Sequence, residues 1–173
     1  MQLHKVNMRR MSVVILLGVI VWFIIPCLVN NEILFINITP SLPRGLYLAI
    51  PGDQYREGDI VAYTPTPEVT EFCMDRGYME TKVSFIKTIG AMPGASYRID
   101  PDLTFTIDGK KAGVVVPKDS KDRNMPFKIG LHWVPNGEFL PYTQGTRSLD
   151  GRYTGTVPLS NIKTRVIPLL TEW

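Results

Sequence analysis

Histidine and cysteine are nearly absent from this sequence: His4, His132, Cys27 and Cys73 are the whole supply. Zinc sites take three or four ligands of the His, Cys and carboxylate kinds, so a metal centre is not expected, and no cofactor is. Cys27 lies inside an apolar run and Cys73 is alone after it, which excludes a disulfide within the main domain. A Ser-His-Asp or Cys-His arrangement would depend wholly on His132, which sits beside Trp133 in an apolar context and reads as a packed residue. Phosphate-binding glycine loops are missing too, because Gly90 and Gly94 fit neither the dinucleotide nor the P-loop spacing. A surplus of one charge is also lacking. Of 19 basic residues, Lys5, Arg9 and Arg10 precede the apolar run, leaving 16 against all 16 acidic ones. A neutral remainder gives no reason to expect a nucleic-acid partner.

Charge disappears altogether between Met11 and Asn31, and Val13 to Val29 is almost wholly apolar. At 1.5 Å per residue, a helix of roughly 20 residues covers the ~30 Å hydrocarbon core of a bilayer. The three basic residues upstream, with Glu32 as the first charge downstream, set the N-terminus in the cytoplasm. The expected organisation is a cytoplasmic N-terminus over residues 1–11, a transmembrane anchor over 12–30 and an exported β-rich domain over 31–173, with the lipid bilayer as a partner. A cleavable signal peptide would share the basic start.

Thirteen of the 14 prolines follow residue 31 and recur with glycines at short intervals. Such breakers leave room for short strands rather than long helices. Strands are expected at Gly45–Ile50, Asp59–Tyr63, Val83–Ile89, Ser96–Ile99, Thr104–Ile107, Gly113–Val116, His132–Val134 and Thr164–Leu169. Asp108-Gly109 reads as a hairpin turn. The fold class is mainly β with one N-terminal transmembrane helix. Segments 64–82 and 117–128 look like an excursion from the β core and a surface loop.

The chemistry that remains is a serine activated by a lysine. Ser41 stands between Pro40 and Pro43, which keep the chain extended, and Gly45 permits a tight turn after it. Lys87 interrupts the apolar run from Val83 to Ile89. Strand alternation gives it the same face as Phe85 and Ile89. Burial there disfavours the ammonium; a fall of roughly 3 pH units, about 4 kcal/mol, would make neutral amine common at pH 7. On spacing alone, Ser41 could equally be a turn residue and Lys87 a cation that snorkels to water.

Four ordered segments nevertheless resemble type I signal peptidases, and more closely the TraF-type peptidases of conjugative transfer systems. Asn37-x-Thr39-x-Ser41-x-Pro43-x-Gly45-x-Tyr47 resembles the nucleophile box of the TraF type, with Leu42 where general signal peptidases carry methionine. Gly58-Asp59-Ile60-Val61 is similar to the next box, and Phe85 to Gly94 to the lysine box. Ser148-x-Asp150-x-Arg152 matches the core of the last box, although Gln144-Gly145-Thr146 occupies the place of a Gly-Asp-Asn stretch.

The resemblance implies a signal-peptidase-like β fold and a serine endopeptidase with Ser41 as nucleophile and Lys87 as general base. It implies an oxyanion site made by the Ser41 N–H and the Thr39 hydroxyl, although Thr39 could also be only a β-former. Ser148 would orient the lysine amine, and Asp150 and Arg152, two apart on an expected strand face, would brace the site as an ion pair. The implied location is a bacterial inner membrane with the catalytic domain on the periplasmic side, and the implied partner is a membrane-inserted precursor such as a propilin. Ser41 follows Asn30 by 11 residues, which span at most about 36 to 40 Å, so the nucleophile would stay near the membrane surface.

Overall fold

A computed structural model describes residues 8–172; Lys5, within the expected cytoplasmic segment, and Trp173 lie outside the described residues. Helix α1 (Met8–Val19) continues through a π-helical turn (Ile20–Ile24) into α2 (Ile25–Asn30). Pro26 accounts for the widened turn. It has no N–H to give and its ring would clash with the carbonyl one turn earlier, so the helix loosens just before it. Met11–Asn30 has a mean hydropathy of 2.9 and none of its residues is buried. Among the described residues it is the one helix long and apolar enough to cross a membrane.

Three residues join this helix to the first strand, and all three are tied down. The Asn31 and Ile33 amides donate to the Cys27 and Leu28 carbonyls at 3.1 and 2.9 Å. The Asn31 side chain donates to the Cys27 carbonyl as well, at 2.8 Å. Glu32 turns the chain in a left-handed conformation (φ 58°) and pairs with Lys163. The Ile33 carbonyl already accepts the Ala49 amide, at 2.9 Å, so the sheet begins where the helix ends.

The strands are β1 (Leu34–Asn37), β2 (Gly45–Ile50), β3 (Ile60–Tyr63), β4 (Phe85–Ala91), β5 (Ser96–Ile99), β6 (Thr104–Ile107), β7 (Lys110–Val114), β8 (Gly130–Trp133), β9 (Glu138–Tyr142), β10 (Val157–Pro158) and β11 (Ile162–Thr171). Helix α3 (Pro67–Asp75) interrupts them after β3, and the single turn α4 (Gly151–Thr154) precedes β10. Seven strands form one sheet in the order β1-β2-β11-β3-β4-β9-β10, and β7-β6-β5-β8 form a second. The mainly β expectation holds.

Most expected strands appear with shifted ends: β3 starts at Ile60, β4 spans Phe85–Ala91, β7 and β8 start earlier, and β11 is longer at both ends. Segment 64–82 leaves the β core as expected, and it does so as helix α3. Proline breaks a helix only in its interior; at the first turn, where Pro67 stands, its missing N–H costs nothing. Thr66 caps that turn by accepting from the Val69 amide. Strand β9 was not expected for a related reason. It contains Pro141, which sits beside a register shift in its pairing with β4.

Apolar side chains cover both faces of the large sheet. Val61, Tyr63, Ile89 and Phe139 pack together on one side, and Phe35, Tyr47, Ala62, Ile86 and Val166 on the other. A third group, with Tyr97, Phe105, Leu140 and Tyr153, joins the second sheet to the first. Each large apolar side chain buried here contributes roughly 1.5–3 kcal/mol. Where β2 begins, only glycine fits: Gly45 has φ +139°, and a Cβ there would lie 2.0 Å from the Leu170 carbonyl oxygen on β11.

Candidate active site

Strands β1 and β2 pair antiparallel with Asn37 opposite Gly45, so residues 38–44 form a wide loop rather than a tight hairpin. Pro40 and Pro43 stiffen it, and buried Asn37 braces it from within. The Asn37 Nδ2 donates to the carbonyls of Thr39, Leu42 and Pro43 at 3.0, 2.9 and 3.2 Å. Its Oδ1 accepts the Thr39 amide at 3.2 Å and the Thr39 hydroxyl at 2.9 Å. The Tyr47 hydroxyl donates to the Pro43 carbonyl at 2.7 Å. Ser41 Oγ lies 2.9 Å from Thr39 Oγ1. Since the Thr39 proton is committed to Asn37, the Ser41 hydroxyl is the donor in that contact.

Lys87 enters from the middle of the large sheet. It is paired with Val61 on β3 and shares its face with Phe85 and Ile89, as alternation required. The residue is 6% exposed, and its Nζ donates to Ser148 Oγ at 2.9 Å. Burial pushes its pKa down to about 8; Asp150 opposes that fall and Arg152 assists it. A lysine held there has neutral amine at hand one unit above neutrality, which is the property a general base needs.

Asp150 and Arg152 form the expected ion pair, with Nη2 to Oδ2 at 2.8 Å and neither side chain exposed. The strand face expected for them is corrected. Asp150 is the cap of α4, accepting the Arg152 amide at 3.2 Å, and the turn is tight because a Cβ at Gly151 would meet the Leu140 side chain at 2.4 Å. Asp150 also accepts the Thr143 amide at 3.1 Å. The remaining Arg152 donors reach the Val114 and Thr143 carbonyls at 3.0 and 3.3 Å, and the Gly145 carbonyl. A buried charge pair of this kind requires all its hydrogen-bonding groups satisfied, and these contacts do so.

These parts surround a cleft of about 790 Å³ lined by Ile36 to Ser41, Ser84 to Lys87 and Ser148. Ser41 and Lys87 both line it. Among the described residues no hydrogen bond joins them, because the serine is engaged by Thr39 and the lysine by Ser148. Ser41 also borders a smaller cavity of about 340 Å³ shared with Thr88, Tyr142 and Gln144. Thr39, Ser41, Lys87 and Ser148 are thus brought to one cleft, with Asp150 and Arg152 buried behind it. His132 stands apart in the second sheet, stacked on Tyr97 with centroids 5.1 Å apart and its Nε2 2.9 Å from the Lys128 carbonyl.

Sequence reasoning missed three contributors. Asn37 was part of a motif without a structural task; it ends β1, and the chain turns back over it through Thr39 and Ser41. Gly145 abuts the nucleophile, since a Cβ there would lie 3.9 Å from the Ser41 Cα. The far wall of the cleft joins the two segments left without a role. Asp119 accepts the Tyr78 hydroxyl at 2.6 Å and Arg123 Nε at 2.7 Å, and pairs with Arg76 at 3.5 Å. That hub connects residues more than forty apart, which no local pattern reveals.

A solved signal peptidase I from Enterococcus faecalis is similar at 20% identity, covering 65% of this chain and 96% of that one with a TM-score of 0.39; it lends no residue its role. No curated protein matches at a significant level. The family model described as "Signal peptidase, peptidase S26" matches residues 7–170, from the start of the apolar helix to the last strand and through every segment that builds the cleft. The chain therefore belongs to the signal peptidase family, peptidase S26, a family of serine peptidases.

Proposed function

We propose that this chain is a membrane-anchored endopeptidase with a Ser41–Lys87 dyad that trims a membrane-inserted precursor. The observation that carries this reading is the buried Lys87 amine, 6% exposed and held by Ser148, in the cleft that Ser41 borders. With a bound precursor, the Ser41 hydroxyl turns from Thr39 to Lys87, which takes its proton as Oγ attacks the scissile carbonyl. The Thr39 hydroxyl, once it rotates its proton from Asn37 to the new oxyanion, and the Ser41 N–H are the donors for that charge; one such donor is worth about 2.7–4 kcal/mol of barrier. The Lys87 ammonium then protonates the departing amine, and water attacks the acyl-serine by the reverse sequence of transfers. Asp150 and Arg152 touch neither reacting atom and act as bracing.

Support for the substrate class comes from the apolar span Met11–Asn30, which fits a bilayer, with basic residues before it and none inside it. We assign the N-terminus to the cytoplasm and the β domain to the periplasmic side of a bacterial inner membrane. The TraF-like nucleophile segment, with Leu42 after the serine, and the replacement of Gly-Asp-Asn by Gln144-Gly145-Thr146 favour a conjugative propilin over general preproteins. The test is mass spectrometry of the pilus subunit from conjugative cells carrying wild-type chain or Ser41→Ala. The precursor should accumulate uncut with the variant. A normally matured subunit in the variant strain would remove the pilin assignment, and a purified Ser41→Ala protein that still cleaves would remove the dyad.

A further inference from the structure

We infer that Asn37 is a positioning residue for catalysis, fixing the place of the Thr39 hydroxyl beside Ser41 through its carboxamide oxygen; this rests on the serine/lysine reading above. The geometry carries it. Asn37 is 6% exposed at the end of β1, and its carboxamide is used at both ends within the loop that holds the nucleophile. The Nδ2 end gathers the Thr39, Leu42 and Pro43 carbonyls. The Oδ1 end takes both Thr39 donors, at 3.2 and 2.9 Å. Removal of the side chain would therefore leave the Thr39 hydroxyl without its fixed acceptor, 2.9 Å from the Ser41 oxygen.

Chemistry follows from which proton goes where. While Thr39 donates to Asn37, its oxygen accepts the Ser41 proton, so the serine rests aimed away from Lys87. When Ser41 turns to Lys87, the Thr39 hydroxyl is held on one line and needs a single rotation to meet the oxyanion. Without that acceptor neither the Thr39 amide nor its hydroxyl oxygen is fixed beside Ser41, and a donor held at the wrong distance from the oxyanion lowers the barrier less. The Asn37 effect should hence pass through Thr39 and leave the Lys87 ionisation alone.

A double-mutant cycle tests this, using a synthetic precursor with one apolar helix and alanines at the cut, and the full chain in detergent. Thr39→Val should lower kcat by about 100-fold, and Asn37→Ala by roughly tenfold or more, with KM and the pH midpoint unchanged. The double variant should be no slower than Thr39→Val alone. Precursor affinity measured in a Ser41→Ala background should be the same with and without Asn37→Ala, which a merely structural role would not allow. If Asn37→Ala fails to fold, Asn37→Asp keeps the shape and the acceptor oxygen while losing only the Nδ2 donors to the loop carbonyls, and Thr39→Val should still lower kcat in that background. Multiplying losses in the cycle, a weakened affinity, or no effect of Thr39→Val in the Asn37→Asp background would each overturn the inference. Wild-type kcat in Asn37→Ala beside an inactive Ser41→Ala would overturn it alone, whereas an active Ser41→Ala would defeat the dyad itself.

Discussion

Lys87 and Ser148, sixty-one residues apart in sequence, meet at 2.9 Å between Nζ and Oγ in the interior of the protein. The hydroxyl satisfies an amine that has given up its water, and it holds that amine at the edge of the cleft Ser41 borders. The arrangement costs stability and yields an amine that is unprotonated nearer neutral pH, and both quantities can be measured.

Activity should rise with pH along one ionisation whose midpoint lies near the Lys87 value of about 8. Steady-state cleavage of a synthetic precursor from pH 6 to 10 would give that curve. Lys87→Arg should be inactive at every pH, because a guanidinium stays protonated and cannot accept the serine proton. An arginine variant with most of the wild-type rate would show that the cation is structural.

Burial of Lys87 should also weaken the fold near neutrality. Its folded pKa of about 8 lies below the ordinary 10.5, so between those values the unfolded chain binds more protons and stability rises with pH. The full cost, about 3 kcal/mol, is present below pH 8 and gone above 10.5. Lys87→Met should therefore unfold at a higher temperature than wild type at pH 7, with the difference closing as pH approaches 10.5. Identical melting curves at both pH values would mean that the charge is solvated.

Asp150 and Arg152 offer a contrasting pair. Asp150→Asn leaves a buried guanidinium without its counter-ion, which should cost about 3–5 kcal/mol in denaturant unfolding. Arg152→Lys should not restore it, since an ammonium cannot span the Val114, Thr143 and Gly145 carbonyls that the guanidinium reaches. Replacing both residues by apolar ones of similar volume should recover stability without recovering rate, because the segment beside Ser41 loses its tie at Gly145. Full activity in that double variant would show that the brace does not reach the nucleophile.

The orientation assigned to the chain predicts that alkaline phosphatase fused after Trp173 is active in a Gram-negative host, where that enzyme requires export. A fully expressed but inactive phosphatase, with an active cytoplasmic reporter at the same point, would reverse the topology.

What could be read from the sequence followed from local periodicity. The strand around Lys87 was legible because alternation alone puts Phe85, Lys87 and Ile89 on one side, and β5 and β6 were bounded correctly by the breakers around them. Proline hid some elements, since its effect depends on position: Pro67 begins α3, a helix left unspecified in the excursion, and Pro141 is accommodated inside β9, a strand not expected. The Asp150–Arg152 pair was implied by the family resemblance and suited by its spacing, yet its turn conformation goes with the close approach of Leu140 at Gly151, a distant contact. Asn37 was invisible for the opposite reason. All its partners but the Thr39 hydroxyl are backbone groups, which every residue carries, so spacing does not single them out.

The tied junction between helix and sheet has a mechanical consequence. With Asn31, Glu32 and Ile33 each bonded on leaving the helix, the domain has no slack tether on which to swing, and β1 carries the chain only about 13 Å further before the nucleophile loop. Embedded in a bilayer, the molecule would behave as a caliper with one jaw fixed in lipid and Ser41 at a set reach from it. The place where a precursor is cut would then be gauged by its distance from the bilayer as much as by the side chains at the cut, and glycines inserted after Asn31 should move the cut further from the membrane.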